Sequence, residues 1–115
     1  MIAVLLLAAA SSGCRRDPAA APPCGAIGAK LLVIARADLD AAGTKYGDET
    51  RRGVLDQLPA MRDALVHACQ ETRWADEVRR CLIDAPDHVA FEGCQRQLTD
   101  AQRQALDRPS SKPSS

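Results

Sequence analysis

Aromatic side chains are nearly absent from this 115-residue sequence, which contains one Trp, one Tyr and one Phe. A core built from it must rely on Leu, Ile, Val and Ala, and a small core of that kind gains from covalent cross-links. The sequence also lacks a net charge, because 15 Lys and Arg balance 15 Asp and Glu. A nucleic-acid-binding protein needs a basic surplus to neutralise phosphates, so this balance argues against that class.

Motifs that would mark an active site are missing as well. No Cys-x-x-Cys or Cys-x-x-Cys-His occurs, which removes the usual signatures of thioredoxin-like redox sites and of haem attachment. His67 and His88 are isolated. Asp84 and Asp87 are close enough in sequence to pair with His88, but no serine nucleophile accompanies them. We therefore predict that the protein is not an enzyme and has no cofactor.

The sequence has no apolar run of membrane-spanning length. Ile2 to Ala10 are nine apolar residues in a row after Met1, whereas a bilayer-spanning helix needs about 20. A run of this length that is followed by small residues is typical of a secretory leader. No Lys or Arg precedes it, which is the one feature of such a leader that is missing.

Cys14 follows this run in the stretch Ser11-Ser12-Gly13-Cys14. The stretch resembles the lipobox of bacterial lipoproteins, with Ser11 at the position where that family usually has Leu, Val or Ile. The resemblance implies cleavage between Gly13 and Cys14, a diacylglyceryl group on the Cys14 sulfur, and an acyl group on its new amino group. Because Arg15 rather than Asp comes next, the resemblance also implies transport to the outer membrane, facing the periplasm.

The number of cysteines agrees with a lipid on Cys14. An exported chain with an odd number of cysteines has one thiol left over, which is a liability in an oxidising compartment. Assigning one of the five to a lipid leaves four, enough for two disulfides. The five are Cys14, Cys24, Cys69, Cys81 and Cys94.

The segment 24–108 is rich in Ala, Leu, Arg and Gln, which favours helices. We predict an all-α fold, a small up-down bundle of four to five helices stapled by two disulfides. We predict that the segments on either side of 24–108 are not part of the helical domain. Residues 1–13 form the leader, 14–23 a lipidated cysteine with a Pro/Ala-rich tether, and 109–115 a polar tail that we expect to be disordered.

Apolar residues at helical spacing predict the first two helices. One stripe runs from Ile27 to Ala42 and ends at Gly43. The turn GTKYGD follows, and its last residue, Asp48, is the expected cap of the second helix. Pro59 should kink or divide that helix. The second helix carries a stripe formed by Val54, Leu58, Met61, Leu65 and Ala68.

Capping residues and a proline predict three shorter helices further along the chain. Their signals are an acidic start at Asp76 and Glu77, a stop at Pro86, a cap at Asp87, and a capping box at Thr99-x-x-Gln102. We place Cys94 and Leu98 in the fourth helix. The lone Trp74 lies between the second and third helices, and we expect it to pack against the cysteines.

The positions of the cysteines limit how they can pair. In an antiparallel hairpin, residues equally distant from the turn face each other, and each consecutive pair of the four is centred on a predicted turn. All four should therefore lie at one level of the bundle. We favour Cys24–Cys69 with Cys81–Cys94, while Cys69–Cys81 with Cys24–Cys94 also joins neighbouring helices. A diagonal pairing would require two bridges that cross in one layer.

A layer of four sulfurs near His67 and His88 also resembles a metal site. Zinc sites usually show close pairs such as Cys-x-x-Cys, whereas the nearest of these cysteines are 12 residues apart. Exported thiols are also ordinarily oxidised. We therefore predict disulfides and no metal, and keep a metal- or thiol-active envelope module as the alternative function.

These features together predict a lipid-anchored protein of the cell envelope. The chain resembles the many small cysteine-containing lipoproteins of Gram-negative bacteria whose roles are unassigned. The function we favour is that of a non-catalytic interaction or structural module. Its expected partners are the membrane, through the lipid, and another envelope protein, but no nucleic acid.

Overall fold

The computed structural model of the chain describes residues 20–108, and within that range it contains helices and no β-strand. The predicted all-α bundle is confirmed. The elements are α1 (Cys24–Ala42), a 3₁₀ turn (Gly43–Lys45), α2 (Asp48–Glu71), α3 (Asp76–Asp84), α4 (His88–Gln95) and α5 (Asp100–Asp107). The predicted leader, the lipidation site at Cys14, most of the tether and the polar tail lie outside the described residues.

Helices α1 and α2 form a long antiparallel hairpin. The first helix ends at Gly43, whose φ of 54° lies in the left-handed region that glycine adopts most readily. The residue that caps α2 is Gly47, so the prediction that Asp48 is the cap is wrong. Asp48 is instead the first residue of α2, where its negative charge and that of Glu49 favour the positive end of the helix dipole.

Pro59 does not divide α2, contrary to that part of our prediction, since the helix runs unbroken from Asp48 to Glu71. Proline has no N–H, so the carbonyl of Leu55 loses its usual helical donor. Leu55 and Pro59 are both exposed. Water can therefore solvate that carbonyl, and the helix continues through the proline.

A close approach of α1 to α2 depends on a residue without a side chain. A β-carbon placed on Gly28 would lie 2.5 Å from Cγ2 of Val66 and 2.9 Å from Cγ of Arg62. Real β-carbons do not approach other atoms so closely, so a larger residue would push the helices apart. Gly28 thus sets the spacing of the hairpin near its open end.

Helix α3 follows the predicted signals at both ends. Asp76 and Glu77 occupy its first turn. Ala85 ends it in an extended conformation, with a ψ of 124°, as the residue before a proline prefers. The acidic start and the Pro86 stop are therefore both confirmed.

Helix α4 is capped as predicted but is shorter than predicted. The carboxylate of Asp87 accepts a hydrogen bond of 2.9 Å from the amide of Ala90. The helix ends at Gln95, so Leu98 lies beyond it, in the turn before α5. Leu98 is nevertheless buried. The turn between α4 and α5 therefore places the Leu98 side chain in the core.

Helix α5 begins with the predicted capping box. The hydroxyl of Thr99 accepts from the Gln102 amide at 3.1 Å, and the Gln102 side chain accepts from the Thr99 amide at 2.9 Å. The Gln102 side-chain amide also donates to the Thr72 carbonyl at 3.0 Å. One glutamine therefore caps α5 and ties it to the end of α2.

The main core lies where the open end of the hairpin meets α3, α4 and α5. Trp74 is 2% exposed and lies in the same buried cluster as Cys69 and Cys94. Its indole N–H donates to the hydroxyl of Thr72 at 3.1 Å. The expected packing of Trp74 in the cysteine region is therefore observed. The other members of the cluster are Ile27, Ile34, Leu65, Ala68, Val78, Leu82, Ala85, Phe91 and Leu98.

Two disulfides join the helices at this end of the molecule. Cys24–Cys69 links the start of α1 to the end of α2, and Cys81–Cys94 links α3 to α4. These are the two bridges that the cysteine spacing favoured. Cys69 and Cys94 are buried in the core cluster, and Cys24 and Cys81 pack against it from a half-buried position. We call this part of the molecule the bridge end.

Candidate functional site

The four cysteines lie in one region, but as two disulfides rather than as thiols. A sulfur in a disulfide is neither a thiolate nucleophile nor a metal ligand, because both roles need a deprotonated thiol. Across residues 20–108, no group of three or more His, Cys, Asp or Glu is arranged to hold a metal ion. The side-chain amide of Gln97 donates to the Cys81 sulfur at 3.6 Å, so the half-buried bridge is also hydrogen-bonded.

The two histidines each pair with a different carboxylate. Nε2 of His67 lies 2.7 Å from Glu71, one turn further along α2. Nδ1 of His88 lies 3.1 Å from Asp38 of α1, and not against Asp84 or Asp87 as the sequence suggested. Each of the four side chains in these pairs is at least half exposed.

The difference at His88 has a structural reason. Asp87 is the cap of α4 and its carboxylate accepts from the Ala90 amide. The start of α4 also lies beside α1, which brings Asp38 within reach of the imidazole. The exposed His88–Asp38 pair therefore joins the start of α4 to the hairpin.

Two arginines make contacts that the sequence did not predict. Arg51 donates to the Leu39 carbonyl at 2.9 Å and to the Asp40 carboxylate at 2.7 Å, which ties α2 to the end of α1. Such a pair at the surface contributes less than about 1 kcal/mol, so its main effect is to fix geometry. No sequence signal marked it, because the partners are 11 and 12 residues apart across a turn.

Arg79 fixes the point at which the chain enters the fold. Its guanidinium donates to the Pro22 carbonyl at 3.2 Å and to the Asp76 carboxylate at 2.8 Å. The Arg79 side chain is only 24% exposed. The segment before α1 is therefore held against α3 at the bridge end.

A surface groove lies at the opposite end of the hairpin. An open groove of about 740 Å³ runs between α1 and α2 near their connection. We call it the hairpin-tip groove. Its apolar lining includes Ala35, Leu39, Tyr46, Val54, Leu58 and Met61, and its polar lining comprises Asp38, Lys45, Thr50, Arg51 and His88.

Three large apolar side chains of this groove face solvent. Tyr46 is 47% exposed, Val54 36% and Met61 48%. Leu39 and Leu58 are buried at the bottom of the groove, outside the main core cluster. The hairpin tip therefore has a small buried apolar cluster of its own, and exposed apolar side chains lie around it.

The predicted stripe on α2 is therefore only partly a core stripe. Leu58, Leu65 and Ala68 are buried, whereas Val54 and Met61 are not. Helix α2 has 24 residues and is about 36 Å long, while α3, α4 and α5 have eight or nine residues each and reach about 12 to 14 Å. The short helices cannot cover the whole stripe.

No described helix is long and apolar enough to cross a bilayer. Comparisons with known proteins give no relative, since no protein-family model, curated protein or solved structure matches the chain. The geometry of the molecule is therefore the basis on which a function can be proposed.

Proposed function

We propose that the protein is a lipid-anchored envelope protein that acts as a non-catalytic interaction module. The observation that carries this proposal is the pairing of the cysteines. The two bridges use four of the five cysteines in the sequence, so the chain has no cysteine left to pair with Cys14. Two disulfides are compatible with an exported protein. A lipid on the remaining sulfur accounts for the fifth cysteine.

The way the chain enters the fold supports an anchor before it. Arg79 holds Pro22 at the bridge end, and Cys24 is bonded to Cys69 two residues later. A pull on the preceding segment is therefore borne by a disulfide rather than by a fraying helix end.

An anchor at this place makes the hairpin tip the far end of the molecule. The 19 residues of α1 run from the bridge end toward the tip over about 28 Å. The exposed apolar groove then faces away from the membrane, where other envelope proteins are accessible. An uncovered apolar patch with a charged rim is typical of a protein-contact surface.

Cys14→Ala tests the anchor. We expect the wild-type chain in the outer-membrane fraction and the variant outside it, because the alanine has no sulfur to carry a diacylglyceryl group. A single acyl chain binds membranes only weakly, whereas the three acyl chains implied for Cys14 would hold firmly. Membrane fractionation with immunoblotting measures the difference.

Arg15→Asp is the matched control, since it changes the neighbouring residue and keeps the sulfur. The lipoprotein resemblance implies that this variant stays membrane-bound but moves to the inner membrane. If Cys14→Ala fractionates with the outer membrane like the wild type, the proposed anchor is wrong.

A further inference from the structure

We propose that the Cys81–Cys94 bridge is a redox-sensitive switch, which a dithiol reductant opens by thiol–disulfide exchange at the Cys81 sulfur and which releases α4 when it opens. The Cys24–Cys69 bridge stays closed under the same conditions and keeps the hairpin together. The inference concerns the two bridges alone, so it goes beyond the proposed function and does not rely on the lipid anchor.

The two cysteines of the switch differ in accessibility. Cys94 is 4% exposed and belongs to the core cluster, whereas Cys81 is half-buried and packs against that cluster from outside. Exchange begins when a thiolate reaches one sulfur of a disulfide, so the rate depends on access to that sulfur. Cys81 is therefore the residue that a reductant attacks, and Cys94 is the leaving group of the first step.

The Cys81 sulfur also has a hydrogen-bond donor. The side-chain amide of Gln97 donates to it at 3.6 Å. A donor stabilises a thiolate more than it stabilises an uncharged disulfide sulfur. A better-stabilised thiolate leaves faster in exchange. Gln97 therefore favours the second step, in which Cys81 is released from the reductant.

The exchange transfers two electrons in two steps. The first thiolate of the reductant bonds to the Cys81 sulfur, the bond between Cys81 and Cys94 breaks, and the electron pair goes to Cys94. The second thiolate then attacks the reductant's own sulfur in this mixed disulfide, and Cys81 leaves with the electron pair of the broken bond. Both cysteines take up the protons that the reductant gave up, and the dithiol ends as a disulfide.

The helix that carries the leaving sulfur determines which bridge opens first. A buried thiolate is costly, so the leaving sulfur has to reach water. Cys94 lies in α4, which has eight residues, and a helix that short is marginal without its tertiary contacts. Cys69 lies near the end of α2, where its carbonyl accepts from the Trp74 amide and where Gln102 of α5 donates to the Thr72 carbonyl. Exposing Cys69 would therefore also break contacts of Trp74 and α5.

Opening the bridge removes the cross-link that joins α4 to α3. The buried ring of Phe91 and the exposed His88–Asp38 pair still hold α4 in place. We expect α4 to open locally much more often with these contacts alone, which exposes Phe91 and the core beneath it. His88 at the start of α4 also lines the hairpin-tip groove. Release of α4 therefore changes one wall of that groove.

Timed reduction of the folded chain by dithiothreitol tests the order in which the bridges open. Cys14→Ala is used so that the four bridged cysteines are the only ones present. N-ethylmaleimide blocks the free thiols at successive times, and peptide mass spectrometry locates them. We expect the Cys81–Cys94 pair to be labelled about ten times faster than the other pair. Equal rates, or faster opening of Cys24–Cys69, would overturn the inference.

Glutathione disulfide tests which sulfur exchanges. Cys94→Ala leaves the Cys81 thiol, and Cys81→Ala leaves the Cys94 thiol, so each variant is the matched control of the other. We expect Cys94→Ala to acquire glutathione about ten times faster, because its remaining thiol is half-buried and bonded to Gln97. Circular dichroism verifies that both variants fold. Equal rates, or a faster reaction at Cys94, would overturn the inference.

Hydrogen exchange tests the release of α4. The double variant Cys81→Ala with Cys94→Ala represents the open bridge and has no thiol that could pair again. We expect the amides of α4 to exchange about ten times faster than in the wild type, while those of α1 and α2 stay protected. Unchanged protection of α4 would overturn the switch. Equal acceleration in all three helices would do so as well, because the bridge would then hold the whole fold.

Discussion

Replacing Cys24 and Cys69 together by alanine lowers the free energy of unfolding by about 4 kcal/mol, if the entropy of the unfolded chain governs the effect. That bridge closes a loop with a sequence separation of 45, which contains all but the last two residues of the hairpin. Replacing Cys81 and Cys94 opens a loop with a separation of only 13 and should cost about 3 kcal/mol. Double variants are preferable because they leave no unpaired thiol in the core.

Urea denaturation followed by circular dichroism measures both changes. Domains of this size have a total stability of roughly 5 to 15 kcal/mol, so either loss is a large share of it. The prediction specific to chain entropy is that loss of the Cys24–Cys69 bridge costs more than loss of the Cys81–Cys94 bridge. Burial does not distinguish the two, because each bridge has one buried and one half-buried cysteine. If loss of the shorter loop cost more than loss of the longer one, local packing rather than chain entropy would be the main contribution of the bridges.

Trp74→Ala should destabilise the domain by about 3 to 5 kcal/mol, the usual cost of truncating a buried aromatic residue. Trp74 is the largest fully buried side chain and lies between α2 and α3. Few other large side chains can fill the cavity, because Phe91 is the only other aromatic residue in the core. The surrounding residues are mostly aliphatic and fixed by the two bridges.

Trp74→Phe and Tyr46→Ala are the controls for this variant. The first keeps most of the ring volume and loses the hydrogen bond to Thr72, so its effect should be smaller than that of alanine. The second removes an exposed aromatic side chain at the hairpin tip, with little expected effect on stability. Circular dichroism is the suitable probe, since Trp74 is the only tryptophan. Equal effects of Trp74→Ala and Tyr46→Ala would contradict the placement of the core.

Local signals in the sequence predicted most of the helix boundaries, with the start of α2 and the end of α4 as exceptions. Gly43, Pro86, Asp87 and the capping box at Thr99 act at their own positions, through backbone conformation or short hydrogen bonds. The choice of cysteine pairs was narrowed for a related reason. Antiparallel helices joined by short turns limit which residues face each other, which left two pairings between neighbouring helices, and the structure has the favoured one.

Features that depend on contacts between distant segments were predicted less well. The effect of Pro59 depended on which face of α2 was exposed, and the partner of His88 depended on where α4 lies against α1. The stripe on α2 showed that its residues were apolar, but not that Val54 and Met61 would stay uncovered. The hairpin-tip groove became visible only when the short reach of α3, α4 and α5 was known.

Intact mass spectrometry of the protein extracted from membranes without reductant tests the central claim most directly. We expect a chain that begins at Cys14, carries acyl groups, and is lighter than its reduced form by the four hydrogens lost in forming two disulfides. A chain that keeps residues 1–13, carries no acyl group, or gains no mass on reduction would contradict it.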